Sequence, residues 1–283
     1  MKKIVSHSIK NFSIYIFLGI IVVFTLFPLI YAFFASFKGN IELFVGSASL
    51  LPKEWLVSNY VDAWTKANFA RYTFNSVFYA TATTFLAVIN ASMVGYVFSR
   101  GRFPGRKLII AVFTSTMFIS VGALMLFPLI EISKILGTSH SLWGLILING
   151  IGVNIPAYYL VARYVSTIPR ELDDAAMVDG CSFFSIWWRI IFPISKPVAA
   201  TVGLLAFMGA WNDFLLPYVF TIGNDRLSPL TVGIVSLQSD ATSITSYGLM
   251  LAGTAMSLIP VIVMFSIVNK YFVQGLTGGA LKG

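Results

Sequence analysis

Charged residues are widely spaced along this chain, and six apolar runs lie between them. They fall between Lys10 and Lys38, Arg71 and Arg100, Lys107 and Glu131, and Lys134 and Arg163. A fifth, from Lys196 to Asp225, is interrupted only by Asp213, and the last lies between Asp240 and Lys270. Each run supplies the ~20 residues that a helix rising ~1.5 Å per residue needs to cross hydrocarbon. Backbone groups in lipid have no water to bond, so helices are expected rather than open strands. The pattern predicts six transmembrane helices near 12–36, 73–98, 108–130, 141–162, 198–221 and 247–269. Lys2, Lys3 and Lys10 precede the first run as in a signal peptide. The run is too long for one and no small-residue cleavage site follows, so an uncleaved first span is expected.

Six spans put both termini on one side, and the basic residues say which. With the termini inside, the inner segments hold 13 of the 19 Lys and Arg and the outer segments 6. Short cytoplasmic loops are enriched in these residues, so the chain reads N-in, C-in. The tight loop SRGRFPGRK, Ser99 to Lys107, carries much of that bias. Residues 168–197 and a tail, 270–283, then face the cytoplasm.

Composition agrees. Hydrophobic residues make up 57% and charged residues 11%, with a mean hydropathy of +0.84. A soluble domain carries about 25% charge. The expected class is therefore an all-α membrane protein, one transmembrane domain over 1–283. The net charge of +8 fits the basic inner loops, and no nucleic-acid partner is implied. Cys181 is the single cysteine, which rules out an intrachain disulfide. No internal repeat is visible.

The segment Ile168–Pro197 is the longest amphipathic stretch. It carries four of the eleven acidic residues, Glu171, Asp173, Asp174 and Asp179. Thr167 can cap a helix, with Pro169 near its first turn and the acids where the helix dipole favours them. Ile168, Leu172, Ala175 and Ala176 are spaced to share one narrow face. Gly180 stands where a left-handed residue would end the helix. Ser182 can cap a second helix with an apolar stripe of Phe183, Phe184, Trp187, Ile190 and Ile191. Pro193 and Pro197 end or kink it. Small residues flanked by carboxylates suit docking of another protein, whose Arg or Lys could meet the acids. The competing reading, a helix lying on the membrane, suits the second helix. It suits the first poorly, because an anionic leaflet repels acids.

ELDDAAMVDGCSFFSIWWRIIFPISKP resembles the "EAA" signature of ABC importer permease subunits. Asp174-Ala175-Ala176, Gly180, Ile191 and Pro193 take the signature's places, with Asp for the usual Glu and Phe192 for the usual Leu. Asn59-Tyr60, Arg71-Tyr72, Asn75-Ser76, Trp211-Asn212-Asp213-Phe214 and the tail from Gln274 to Gly283 resemble the maltose-type carbohydrate branch. The resemblance implies a type I ABC importer permease fold in a bacterial inner or plasma membrane. It implies that the first hairpin helix is a coupling helix seated in a separate ATPase. Glu171, Asp174, Ala175, Ala176, Asp179 and Gly180 are then the coupling residues. Gln274, Gly275, Gly278 and Gly279 would reach towards the ATPase interface. The implied partners are two ATP-binding subunits, a second six-span permease forming a heterodimer, and an extracytoplasmic solute-binding protein. ATP and Mg would sit on the ATPase subunits, and this chain has no phosphate-binding loop of its own. No cofactor, metal site or catalytic constellation is expected in it.

Asp213 is the one acid deep in a predicted span, and intramembrane acids are costly. With Trp211 and Asn212 it is a candidate for the translocation pathway. Pairing with a partner permease and proton transfer are the other readings. Asn149, Gly150, Gly152, Asn154 and Pro156 mark either a break beside a cavity or close packing of small residues. The outer segment from Lys38 to Arg71, with Trp55, Tyr60 and Trp64, reads as an interfacial cap or a contact for an external partner. Together these features predict an import permease for a carbohydrate or related polyhydroxylated solute. An ion-coupled carrier, or the same machinery importing glycerol phosphate, are the alternatives.

Overall fold

The computed structural model describes residues 2–44, 49–66, 68–119, 122–236 and 247–277, which are mostly helical and include no strand. In chain order the helices are α1 (Lys2–Ala35), α2 (Asn40–Phe44), α3 (Ser58–Lys66), α4 (Phe69–Arg100) and α5 (Arg106–Thr116). Then follow α6 (Leu126–Ile135), α7 (Leu142–Ile151), α8 (Ile155–Ser166), α9 (Glu171–Val178) and α10 (Phe183–Ile186). After a π-helical turn, Trp187–Ile191, come α11 (Phe192–Ile194), α12 (Lys196–Asn212), α13 (Leu215–Thr221), α14 (Leu230–Ser236) and α15 (Tyr247–Thr277).

Three stretches, Ile14–Ala35, Phe69–Arg100 and Tyr247–Ile267, are long and apolar enough to cross a membrane unbroken. Two bent pairs pass the same test, α7 with α8 at 46°, and Phe183–Ile194 with α12 at 83°. Length and composition thus support three to five crossings among the described residues.

The remaining predicted spans are interrupted, each for a local reason. The expected helix over 108–130 ends at Thr116 and resumes at Leu126. The hydroxyls of Thr114, Ser115 and Thr116 bond carbonyls of their own helix, which weakens and bends a helix end. Beyond it Gly122 takes φ +56 and opens a 3-10 turn. The expected helix over 141–162 breaks between Ile151 and Ile155. There the Asn154 side chain accepts from Ala157 N at 3.1 Å and Pro156 occupies the first turn, so a new helix starts.

The expected helix over 198–221 breaks at Asp213. Pro217 has no N–H for the carbonyl four residues back, and Thr231 Oγ1 donates to that Asp213 carbonyl instead, at 2.7 Å.

The chain divides into two compact units. One holds Met1–Ala70 and Ile234–Leu258. Along most of its span Ile14–Ala35, up to Tyr31, the apolar side chains point outward, as a lipid-facing helix requires. Rings of Phe33, Phe34, Phe37, Trp55 and Tyr60 pack edge to face or tilted around the end of α1. Asn59 Nδ2 donates to the carbonyls of Ser36 and Lys38 at 2.8 and 3.1 Å, satisfying acceptors that a helix end leaves open.

The other unit holds Arg71–Gly233 and Ile259–Gly283. Its core gathers Tyr96, Phe98, Tyr158, Val161, Val165, Ile168, Ile186, Trp187 and Ile191. A Cβ on Gly95 would stand 2.6 Å from Val161 Cβ, so only glycine permits α4 and α8 to approach this closely. At the other end of α4, Asn75 Nδ2 donates to the carbonyls of Arg226 and Ser228 at 2.9 and 3.0 Å, and Ser76 Oγ accepts from Leu230 N at 2.7 Å. Two of the residues that carry the family resemblance therefore hold the segment before α14.

Candidate functional site

The hairpin forms helix, turn and helix, with a later start than its sequence suggests. Thr167 does not cap α9. It closes α8, its hydroxyl donating to Tyr164 O at 2.8 Å. Pro169 disfavours helical backbone at the residue before it, so the chain leaves one helix there and enters the next at Glu171. No side chain caps α9. Glu171, Asp173 and Asp174 occupy its first turn, where the dipole favours negative charge.

The end of α9 follows from Gly180, at φ +81. Gly180 N donates to Met177 O at 3.0 Å and Cys181 N to Ala176 O at 2.9 Å, the paired bonds of a left-handed helix stop. Ser182 Oγ then accepts from Ser185 N at 3.2 Å, capping α10 as expected.

Burial separates residues that spacing alone had grouped. Ile168 and Ala176 are buried, whereas Leu172 and Ala175 are exposed. Asp173 turns inward with Ala176, three residues on. Its Oδ1 accepts from Tyr96 OH at 3.0 Å, and its Oδ2 stands 3.1 Å from Arg100 Nε. Arg100 Nη2 donates to Ile168 O at 2.5 Å. The last turn of α4 is thus fastened to the hairpin at two points. The opposite face of α9 presents Glu171, Leu172, Asp174, Ala175, Val178 and Asp179 to the exterior.

The second half of the hairpin is its apolar brace. Ile186, Trp187 and Ile191 are buried in the core, while Phe183 and Phe184 remain exposed. Trp188 stacks on Phe192, centroids 5.4 Å apart and planes 7° off parallel.

Within the predicted spans, the three candidate pathway residues point to different surroundings. Trp211 is buried and stacked on Phe207 at 5.7 Å. Asn212 is exposed and its Nδ2 donates to Met208 O at 2.8 Å, within its own helix. Asp213 alone joins other elements. Its Oδ2 accepts from Tyr79 OH at 3.0 Å and Asn149 Nδ2 at 3.2 Å, and Asn149 Nδ2 also donates to Tyr79 OH at 2.5 Å. Asn149 reaches a cavity of about 760 Å³, which Phe113, Thr116, Gly152, Asn154 and Pro156 also line. Asn149, Gly152, Asn154 and Pro156 therefore mark a break beside a cavity, while Gly150 serves close packing, with a Cβ there standing 2.8 Å from Leu86 Cβ.

In the tail, Gln274 and Gly275 continue α15, while Gly278 and Gly279 lie outside the described residues. Among the described residues no group of three or more His, Cys, Asp or Glu could hold a metal ion.

Sequence reasoning did not single out Asp173 as an inward anchor, nor Tyr96, Arg100 and Tyr79 as its and Asp213's partners. The spacing of Asp173 and Ala176 was a usable signal, since residues three apart share a helix face. For Tyr79, an aromatic in an apolar run, the sequence carries no signal.

Residues 91–278 match the family model described as "Binding-protein-dependent transport system inner membrane component". The chain is 31% identical to the probable ABC transporter permease protein YurM of Bacillus subtilis, over 96% of this chain and 88% of that protein. It is 33% identical to the galactooligosaccharides transport system permease protein GanQ of the same organism, over 95% and 94%. In fold it is similar to a chain of a bacterial ABC transporter involved in the import of the acidic polysaccharide alginate. That likeness has a TM-score of 0.80 at 24% identity, covering 94% of this chain and 98% of the other.

Proposed function

The chain belongs to the family of binding-protein-dependent transport system inner membrane components, and on that premise we propose that it is a permease subunit importing a carbohydrate or similar polyhydroxylated solute. It works as one membrane domain of six crossings with both termini in the cytoplasm. Its fold is that of a type I importer, with the fourth crossing bent by 46° at its break. A second permease completes the pathway as a heterodimer, and an extracytoplasmic binding protein delivers the solute. Two separate subunits bind ATP and Mg and hydrolyse the nucleotide. This chain performs no chemistry itself.

One observation carries the coupling role. The inner face of α9 is tied down through Asp173 and Ala176, and the outer face, Glu171, Asp174, Ala175 and Asp179, is left exposed. A partner's cleft can close on the small side chain of Ala175, and its basic groups can meet the three acids. Force applied there passes to α4 through Arg100 rather than being lost in a loose loop. Gly180 sets where the helix ends. Gln274, Gly275, Gly278 and Gly279 belong to a tail that extends towards the ATPase pair.

The carbohydrate cargo is supported by the galactooligosaccharide permease relative at 33% identity. The test is reconstitution in proteoliposomes with galactooligosaccharides as the first probe. The assembled complex should take up solute only with ATP and binding protein. Gradient-driven uptake by this chain alone would overturn the reading.

A further inference from the structure

Asp213 Oδ2 takes donors from two other elements, Tyr79 OH and Asn149 Nδ2. Trp211 and Asn212 do not turn towards a common ligand with it, since one packs on Phe207 and the other bonds its own helix.

The three polar side chains come from three different elements. Tyr79 lies in α4, the only long helix among them without a break, and is almost wholly buried. Asn149 lies one turn before the break between α7 and α8. Asp213 is itself the break between α12 and α13. Each break has bonds of its own: in one the Asn154 cap and Asn90 of α4, whose Nδ2 donates to the carbonyls of Ile151 and Gly152 at 3.0 and 3.4 Å, and in the other the Thr231 hydroxyl. None of these joins one break to the other. The Tyr79–Asn149–Asp213 bonds do. Away from water such bonds are electrostatically strong and expensive to leave unmade.

We propose that Asp213 is a positioning residue, and that with Tyr79 and Asn149 it forms a latch joining the two helix breaks to α4. A broken helix can swing about its break. Two broken helices latched to one straight helix move as one body, so the cavity wall at Asn149, Gly152 and Asn154 keeps its shape while the body moves. That the body moves with nucleotide rests on the importer reading; that the breaks are joined does not.

The test uses spin labels at Ile151→Cys and Leu215→Cys, one beside each break, with Cys181→Ser as background. Both native positions are exposed, which leaves room for a label. The inter-label distance is measured by pulsed electron resonance in the assembled complex in nanodiscs, without nucleotide and with Mg-ATP plus vanadate. In the otherwise wild-type chain the latch predicts one narrow distribution that nucleotide does not shift. Tyr79→Phe and Asp213→Asn should each broaden it and make it shift with nucleotide, and the double variant should add little to either. A merely structural contribution to stability would not create that nucleotide dependence. Narrow, unshifted distributions in both variants would overturn the latch, and so would a nucleotide-dependent shift in the wild-type pair. If ATP-driven uptake is never seen, the importer reading fails, and the nucleotide-free distributions still decide whether the breaks are joined.

Discussion

Asp173 Oδ2 and Arg100 Nε stand 3.1 Å apart, with side chains only 10% and 7% exposed. This pair joins the last residue of a membrane-length helix to a helix whose other face is bare. Tyr96 OH takes the second carboxylate oxygen at 3.0 Å. Both charges are therefore removed from water and matched within one cluster. Breaking such a pair strands a buried charge, which costs about 3–5 kcal/mol, whereas replacing both partners with apolar groups is often close to neutral.

Asp173→Ala should accordingly lower the melting temperature of the detergent-purified complex sharply. Arg100→Leu combined with Asp173→Leu should recover part of that loss, leaving the Tyr96 hydroxyl and the Ile168 carbonyl without these partners. Equal losses in the single and double variants, measured side by side, would show that the two charges do not depend on each other.

Gly180 isolates a backbone effect. No atom lies within 4 Å of where its Cβ would stand, yet its φ is +81. Gly180→Ala therefore meets no clash and should cost about 1–2 kcal/mol from the left-handed conformation alone. Gly180→Asn should cost less, because Asn tolerates that region. The melting temperatures should rank Gly, Asn, Ala. A ranking with Ala equal to Gly would mean that the helix stop is not held at this residue.

Gly95 is the opposite case, where space and not φ forbids a side chain. A Cβ would meet Val161 Cβ and Cγ1, both at 2.6 Å. Overpacking of this kind costs about 1–3 kcal/mol. Gly95→Ala should destabilise the chain, and Val161→Ala in the same chain should restore part of it. If the double variant melts below the Gly95→Ala chain, the two helices do not meet through this pair.

The apolar runs were legible because hydrophobic length is a local property, and α1, α4 and α15 follow from it directly. Their interruptions were less so. Gly152, Asn154 and Pro156 signalled one break through residue types that start helices. At Asp213 the local signal is Pro217 alone, and the hydroxyl that takes the freed carbonyl, Thr231, lies 18 residues away. The hairpin shows the same division. Gly180 and Ser182 act through their own backbone neighbourhood and could be read from the sequence. Thr167 was misread because the bond it makes points backwards to Tyr164. Which acid of Glu171, Asp173 and Asp174 turns inward is decided by Tyr96 and Arg100, more than 70 positions away, and charge patterning within α9 carries no trace of that choice.

The account turns on the exposed face of α9 as the seat of the ATPase. The most direct measurement is the amount of ATPase subunit that co-purifies with tagged chain extracted from membranes, wild type against Ala175→Glu. Ala175 is exposed and outside the core, so the variant should insert and accumulate normally. The account predicts that it loses its ATPase while the second permease stays bound. A wild-type ratio of ATPase to chain in that variant, with ATP-driven uptake intact, would contradict it.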